Sequence, residues 1–328
     1  MVAPLAMPTV ARVDELAPEP VFRRPSPGPV LISYVPGSVG EDALVLGRVL
    51  SEAIGVRPTV HSVVERVARK NAESAERARN ERLGEIAEAA GRSLEGLDPV
   101  CTASVARSAT AELARIALEQ RPSVVVLGSS SAERSSRFAP NGMATTFLHE
   151  VPCAIAVAPA GYAERIAPRL LRIAVAFDGG EEARVALESA VELAARTRAR
   201  LSLLAAANSA GGGLVGPFVA AGGGEAGVVE VQRGAMERVL RLGLDSVPDD
   251  MPVDSRLLLG PAAEIAAAAG EHDLLVLGSR GHGALGRALL GSLSATLIAE
   301  TSNPVLVLPR TAGNDPLGLR GDSLHALV

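Results

Sequence analysis

The stretch Asp273-Leu-Leu-Val-Leu-Gly-Ser279 is an apolar run that ends in glycine and serine. A near copy, Ser123-Val-Val-Val-Leu-Gly-Ser129, lies 150 positions earlier, counted from Gly278 to Gly128. Neither run alternates apolar and polar residues, a pattern typical of strands buried on both faces of a helix-covered parallel sheet. The duplication predicts a chain built from two similar halves.

The segments around these two runs repeat in the same order. The first half has strand-like runs over 30–35, 123–129 and 151–157 and helical segments over 41–54, 64–90 and 104–119. The second half has strand-like runs over 171–177, 273–279 and 303–308 and helical segments over 181–198 and 262–269. Strands separated by helices imply right-handed βαβ units, so the order predicts two α/β domains with mostly parallel sheets.

Chain length, prolines and the loss of hydrophobic periodicity predict the domain limits. A length of 328 residues fits about two domains. The predicted parts are a Pro-rich disordered tail over 1–28, a domain over 29–160, a linker over 161–168, a second domain over 169–310, and a frayed C-terminal tail over 311–328.

The overall composition excludes several classes of protein. Hydrophobic residues make up 48% and charged residues 21%, which excludes a wholly disordered chain. A net charge of -5, with five Phe, two Tyr and no Trp, argues against a basic groove that stacks nucleic-acid bases. Cys101 and Cys153 cannot form a disulfide scaffold or, alone, a thiolate-rich metal site, and they fit a reducing cytoplasm.

The longest uncharged stretch, 201–224, reaches the ~20 residues that a membrane-spanning helix needs. It contains Pro217 and the triple glycines 211–213 and 222–224, so it is better interpreted as a strand followed by a flexible loop. The N-terminal region has no early Lys or Arg, and prolines interrupt its apolar residues. We therefore expect neither a membrane span nor a signal peptide.

A glycine cluster follows the strand-like run of the second half: Leu277-Gly-Ser-Arg-Gly-His-Gly-Ala-Leu-Gly-Arg-Ala-Leu-Leu-Gly-Ser-Leu-Ser294. Ligands of open parallel sheets bind beyond the carboxyl ends of the strands, and glycines let backbone amides approach an anion there. Ser292 can cap a helix predicted over 293–300, whose free amides favour phosphate. The cluster therefore predicts a site for a polyphosphate.

Two known nucleotide-binding motifs do not account for this cluster. The chain has no Gly-Lys-Ser or Gly-Lys-Thr, which excludes a P-loop. A literal G-x-G-x-x-G occurs at Gly281, Gly283 and Gly286, but it starts three residues beyond the strand end and late in its domain. The dinucleotide fingerprint belongs at the first βα turn, so we interpret this match as a coincidence.

At this point the sequence resembles the universal stress protein family. That family's signature is Gly, two residues, Gly, nine residues, Gly and then Ser or Thr, which Gly278, Gly281, Gly291 and Ser292 match in full. Asp178 matches the family's Asp at the end of its first strand, and 260–262 resembles a further family loop. The resemblance is strong over about 170–310 and weak over about 29–160, so the chain resembles a tandem universal stress protein.

The resemblance implies tandem Rossmann-like domains, each with a mostly parallel five-stranded sheet flanked by helices, and ATP binding where the signature is intact. Asp178 would lie at the adenosine end, amides of 278–281 would meet ribose and phosphates, and Gly291, Ser292 and Ser294 would hold the phosphate tail. Mg²⁺ would arrive with the nucleotide. The expected cofactor-binding residues are Asp178, Gly278, Ser279, Arg280, Gly281, His282, Gly291, Ser292, Leu293 and Ser294. Asp178 can equally be a turn-forming residue before two glycines.

The first half departs from this pattern. Aligned on Gly128, it has Ser131 at the second glycine, Asn141 at the third and Gly142 at the serine, and its first strand ends without an Asp. We predict that it binds ATP weakly or not at all and serves as the structural partner of the second half. Because protomers of this family often pair through the last strand, the runs 151–157 and 305–308 are expected to pair within the chain.

No set of residues demands an enzyme. The five histidines are scattered and form no helical metal pair: His61, His149, His272, His282 and His325. Asp249-Asp250 fits a turn, and the cysteines fit inert thiols. The leading hypothesis is a cytoplasmic, ATP-binding regulator or scaffold with at most slow ATP hydrolysis. A nucleotide-free interaction module and, less favoured, an NAD(P)-dependent oxidoreductase are the alternatives, and association of two chains is left open.

Overall fold

The computed structural model describes residues 27–66, 72–129, 151–165, 168–207, 225–259, 262–279, 301–309 and 315–319. The first half contains β1 (Val30–Ser33), α1 (Ser38–Ile54), β2 (Pro58–Glu65), α2 (Ala72–Ser93), β3 (Val100–Ala106), α3 (Ala109–Gln120), β4 (Val124–Gly128) and β5 (Ala154–Ala158). After a 3-10 turn at Tyr162–Glu164, the second half contains β6 (Arg172–Ala176), α4 (Glu181–Thr197), β7 (Arg200–Ala207), α5 (Glu225–Leu244), β8 (Val253–Leu259), α6 (Ala262–Ala269), β9 (Leu274–Gly278) and β10 (Val305–Leu308).

The described strands form one sheet in the order β3-β2-β1-β4-β5-β10-β9-β6-β7-β8. Neighbours are parallel within each half, whereas β5 and β10 are antiparallel and pair Val157 with Val305 and Ile155 with Val307. Each half therefore contributes five strands in the same order, and the two halves join edge to edge through their last strands. This confirms the predicted fold class and the expected pairing, while the limits assigned to the two domains stay predictions.

The apolar runs are strands because they are buried on both faces. All five residues of β4 are buried, and its alternate residues enter different cores. Val124 and Val126 pack in a core on the side of α1, α2, α4 and α5, whereas Val125 and Leu127 pack in a second core on the side of α3 and α6. Each core contains residues of both halves, so apolar packing on both faces of the sheet stabilises the pairing of β5 with β10.

Two helix predictions extended too far toward their N-termini. The segment 64–90 was expected to be one helix, but Val64 and Glu65 end β2 and α2 starts at Ala72. The segment 104–119 begins inside β3, because α3 starts only at Ala109. The edge strands β3 and β8 include polar residues and lack the continuous apolar run that marked the central strands, so their pattern was missed.

The segment between β5 and β6 forms hydrogen bonds with both halves. The carboxylate of Asp42 on α1 accepts hydrogen bonds from the amides of Gly161 and Ala163, at 2.9 Å and 2.7 Å. The guanidinium of Arg165 donates to the Ser302 carbonyl at 2.8 Å and to the Asn303 side chain at 3.2 Å. The strand pairing at the seam is therefore reinforced by a hydrogen-bonded connection just beyond β5.

Part of the C-terminal tail is packed, contrary to the expectation that it frays. Leu317 and Leu319 are each only 1% exposed and belong to the core on the side of α1 and α4. Arg196 donates to the carbonyls of Ile54 and Leu319, at 3.2 Å and 3.1 Å, which ties this segment to the ends of both helices. The two leucines supply the apolar surface that a frayed tail would lack.

Candidate functional site

Three of the residues predicted to bind ATP, Asp178, Gly278 and Ser279, lie at the carboxyl edge of the strands of the second half. Strands β6 and β9 are parallel neighbours, with Val175 opposite Val276. The chain continues from β6 to β7 on one side, and β9 lies on the other, so the point between β6 and β9 is a topological switch point. In open α/β sheets, this is where ligands bind. Asp178 leaves β6 and Gly278 ends β9, so both stand at this edge.

Asp178 forms the turn that leads into α4. Its Oδ1 atom accepts a hydrogen bond from the Gly180 amide at 2.9 Å. Gly179, between them, has a φ of 80°, a left-handed conformation that favours glycine. The turn-forming role of Asp178 is thus observed, and it fixes the direction of a half-buried carboxylate at the edge of the sheet. A hydrogen bond to a ligand stays a prediction.

Gly278 lies against the first turn of α4. A Cβ atom at this position would stand 2.4 Å from the Glu182 carbonyl oxygen, closer than real Cβ atoms approach. Gly128 is in the same situation in the first half, where a Cβ would stand 1.8 Å from the Val39 carbonyl oxygen. At both positions the close packing of strand against helix requires glycine.

Ser279 is completely buried, and its amide donates to the carbonyl of Leu308 on β10 at 2.9 Å. Ser129 is also completely buried, and its amide donates to the carbonyl of Ala158 on β5 at 3.1 Å. The hydroxyl of Ser129 donates to the same carbonyl at 2.9 Å. Each serine amide therefore extends the hydrogen bonding between the last two strands of its half.

The other predicted ligand-binding positions lie outside the described residues. They are Arg280, Gly281, His282, Gly291, Ser292, Leu293 and Ser294. The residues at which the first half departs from the signature, Ser131, Asn141 and Gly142, lie outside the described residues as well. Their roles stay predictions.

The first half has an apolar residue at the place of Asp178. Val30 faces Val124 across the sheet as Ile173 faces Leu274, and this equivalence puts Val35 where the second half has the carboxylate. Val35 is 42% exposed. At this described position the first half therefore has no counterpart of the acceptor that the resemblance assigns to the adenosine end.

Sequence reasoning missed a buried polar network in the first half. His61, on β2, is 4% exposed, with Nδ1 2.8 Å from the Thr102 hydroxyl and Nε2 3.0 Å from the Ser104 hydroxyl. Ser104 also hydrogen-bonds the carboxylate of Glu112 on α3, which Arg115 contacts at 2.8 Å. The sequence did carry a signal for this network. His61 lies among the valines of β2, and Thr102 and Ser104 lie two positions apart on β3.

The donors and acceptors of this network fit one arrangement. The carboxylate of Glu112 can only accept, because the hydrogen bond from Arg115 holds its pKa below the usual range. Ser104 then donates to Glu112 and accepts from His61, so we assign the imidazole proton to Nε2. The Thr102 hydroxyl then donates to Nδ1, at 2.8 Å, in preference to the Val60 carbonyl oxygen at 3.4 Å. Burial lowers the pKa of His61 to about 4, which keeps the ring neutral.

The two cysteines and the described acidic and histidine side chains were also candidates for thiol or metal chemistry. Burial raises the pKa of the Cys153 thiol to about 12 and that of Cys101 in the same direction, and both cysteines are free. Within the ranges that the structure describes, no three His, Cys, Asp or Glu side chains are grouped to hold a metal ion. None of the described helices combines the length and apolar composition needed to cross a bilayer.

Comparison with known proteins matches the second half of the chain to one family. A model of the universal stress protein family matches residues 170–309. A universal stress protein of Thermus aquaticus, named for the 3' region of a QAH/OAS sulfhydrylase gene, is 36% identical over 139 residues, which are 42% of this chain and 96% of that relative.

Solved structures match the two halves together. A universal stress protein of Archaeoglobus fulgidus aligns with a TM-score of 0.59 at 17% identity, over 86% of this chain and 96% of its own. A Pseudomonas aeruginosa protein described as functionally unknown aligns with a TM-score of 0.55 at 16% identity, over 90% and 97%. These likenesses agree with the fold, and the match of the second half to the family model and to the Thermus protein shows that this chain belongs to the universal stress protein family.

Proposed function

We propose that the second half binds ATP at the carboxyl edge between β6 and β9, and that the protein acts in the cytoplasm as a nucleotide-dependent regulator or scaffold in the response to stress. The observation that supports this most directly is the position of Asp178 beside the start of the glycine signature, at the topological switch point. The family model covers both elements.

The chemistry of these residues suits a nucleotide. The direction of the Asp178 carboxylate is set by its bond with Gly180, and such an acceptor can take a hydrogen bond from a ribose hydroxyl or an adenine amino group. The glycine-rich segment beyond Ser279 would supply backbone amides to the phosphates. Mg²⁺ would enter with the nucleotide, since Mg²⁺ commonly keeps waters and phosphate ligands.

The first half would serve as a structural partner and not as a second ATP site. Its exposed Val35 offers no acceptor at the adenosine end, and Ser131 and Asn141 replace two signature glycines. Its β5 pairs with β10, so the half stabilises the strand next to β9. One ATP per chain is therefore expected.

The test is equilibrium binding of labelled ATP by the full chain, with and without Mg²⁺. The informative variant is Gly281→Val, because a β-branched side chain would block the proposed amide turn. Its matched control is Ser131→Val at the equivalent position of the first half. We expect at least a tenfold loss of affinity for Gly281→Val and none for Ser131→Val.

A second test concerns Asp178. The Asp178→Asn variant keeps an oxygen for the Gly180 amide but loses the charge, so the turn should persist while affinity for ATP falls several-fold. Absence of saturable ATP binding by the folded wild type contradicts the proposal, and stronger binding of NADH than of ATP would favour an oxidoreductase.

A further inference from the structure

We propose that β8 is a self-association surface, on which a second copy of this chain pairs as an antiparallel strand about a two-fold axis at Ser255. Among the described strands β8 has one neighbour, β7, so its other side is an edge of the sheet. This surface shares no residue with the proposed ATP site, and it can be tested whether or not ATP binds.

Half of the main-chain groups of β8 point away from β7. The Leu201 amide on β7 donates to the Pro252 carbonyl at 3.0 Å, and Leu201 lies opposite Val253. Because parallel strands bond through alternate residues, the even-numbered residues of β8 direct their main-chain groups at β7. An edge with unpaired amides and carbonyls is a template for another strand. The outward-facing groups belong to Val253, Ser255, Leu257 and Leu259.

The side chains of β8 favour one symmetric register. Asp254, Ser255 and Arg256 are all exposed. Antiparallel pairing about Ser255 sets Asp254 of each copy directly opposite Arg256 of the other, where the opposite charges attract. The same register pairs Val253 with Leu257 and Ser255 with its own copy, so the outward amides of these residues meet outward carbonyls.

The charges disfavour the neighbouring symmetric registers. An axis at Asp254 would set the two Asp254 carboxylates opposite each other, and an axis at Arg256 would do the same with the two guanidiniums. Arg256 pairs with Glu271 of its own chain at 2.9 Å, whereas the described residues provide no ion pair for Asp254. Charged side chains on an edge strand usually prevent association, but here they permit one register in which Asp254 gains a partner.

Strand β3, at the other end of the described sheet, supplies an internal comparison. It contains no charged residue between Val100 and Ala106. The Arg66 amide donates to the Ala106 carbonyl at 2.8 Å, so the main-chain groups of Ala103 point away from β2. This edge matches β8 in its main-chain groups but lacks the opposite charges that select a register.

The first experiment is a charge exchange, followed by sedimentation of the full chain from about 1 to about 200 µM, because a contact of this size is expected to be transient. The wild type should dimerise as its concentration rises. Asp254→Arg alone and Arg256→Asp alone should each weaken association tenfold or more, because like charges then face each other. An equimolar mixture of the two variants should recover association to within about threefold of the wild type, since the mixed pair restores opposite charges at both positions.

The second experiment tests the main-chain pairing. Ser255→Pro removes an outward amide and leaves the bonds to β7 in place, so it should weaken association tenfold or more. Ala103→Pro makes the same change at the β3 edge and should associate like the wild type. The urea midpoint of unfolding checks that each variant is folded. In the wild type, amide exchange at Ser255 should slow as the concentration rises, whereas exchange at Asp254, whose amide faces β7, should not change.

The remaining outcomes overturn the inference. A wild type that stays monomeric over this range has no self-association surface at β8. Slow exchange at Ser255 that does not depend on concentration means that the edge is covered within one chain. A dimer that survives every substitution uses another surface, and unchanged association of Asp254→Arg would place the axis at Arg256 and refute the register.

Discussion

The His61 network makes stability depend on pH in a way that can be calculated. The pKa of His61 is about 4 in the folded protein because the ring is buried, against 6.5 for an ordinary histidine. A folded pKa below the unfolded one means that the unfolded chain binds the proton more tightly. This contribution to stability is therefore complete above about pH 6.5 and is lost as the pH falls toward 4.

The size of the effect follows from the shift. One pKa unit corresponds to about 1.4 kcal/mol, so a shift from 6.5 to about 4 contributes roughly 3 kcal/mol in full. Most of this contribution would already be lost at pH 4.5. Carboxylates titrate over the same range, so the wild type alone cannot isolate the histidine.

The matched variant is His61→Leu, which installs the residue that the second half has at this position, Leu204. Tyr34 donates to the carbonyl of His61 as Phe177 does to that of Leu204, which fixes the equivalence. The assay is urea unfolding at pH 7.5 and at pH 4.5. The wild type should lose roughly 2–3 kcal/mol more than the variant between the two pH values. Equal losses in the two proteins would refute the reasoning.

Two further predictions concern other buried groups. Asp42→Ala removes the acceptor of the Gly161 and Ala163 amides and should lower the free energy of unfolding by roughly 1–3 kcal/mol; Glu88→Ala, at an exposed ion pair, is the control and should change it little. Because burial raises the pKa of Cys153 to about 12, its thiol should react with a disulfide reagent only after unfolding, whereas half-buried Cys101 should react in the folded protein. Rapid labelling of Cys153 in native buffer would contradict that second expectation.

The central strands were predictable from the sequence because burial on both faces leaves an unbroken apolar run. This holds for β4 and β9, and their shared Leu-Gly-Ser ending revealed the duplication. The edge strands were not predictable in this way. Strand β8 carries Asp254 and Arg256, both exposed. Strand β3 carries Thr102 and Ser104, two positions apart, and both hydrogen-bond His61.

The candidate site was predictable in part for a related reason. Spacing identified the signature, and the order of strands placed Asp178 and Gly278 at one edge. What Gly278 and Ser279 do there was not predictable, because their partners Glu182 and Leu308 are separated from them by many residues in the sequence. From the sequence alone, a glycine that is required by a closely packed helix cannot be distinguished from a glycine that is required by a ligand.

The two halves separate these roles better than either half does alone. Where both halves agree, at the Gly-Ser pairs 128–129 and 278–279 and in the strand order, the shared residues make contacts that the fold needs. Where they differ, at Val35 against Asp178 and Ser131 against Gly281, the second half holds the residues that suit a nucleotide. The first half has polar core residues around His61, where the second half has the apolar Leu204. Substituting shared residues should therefore affect stability in either half, and substituting unshared signature residues should affect ATP binding in one.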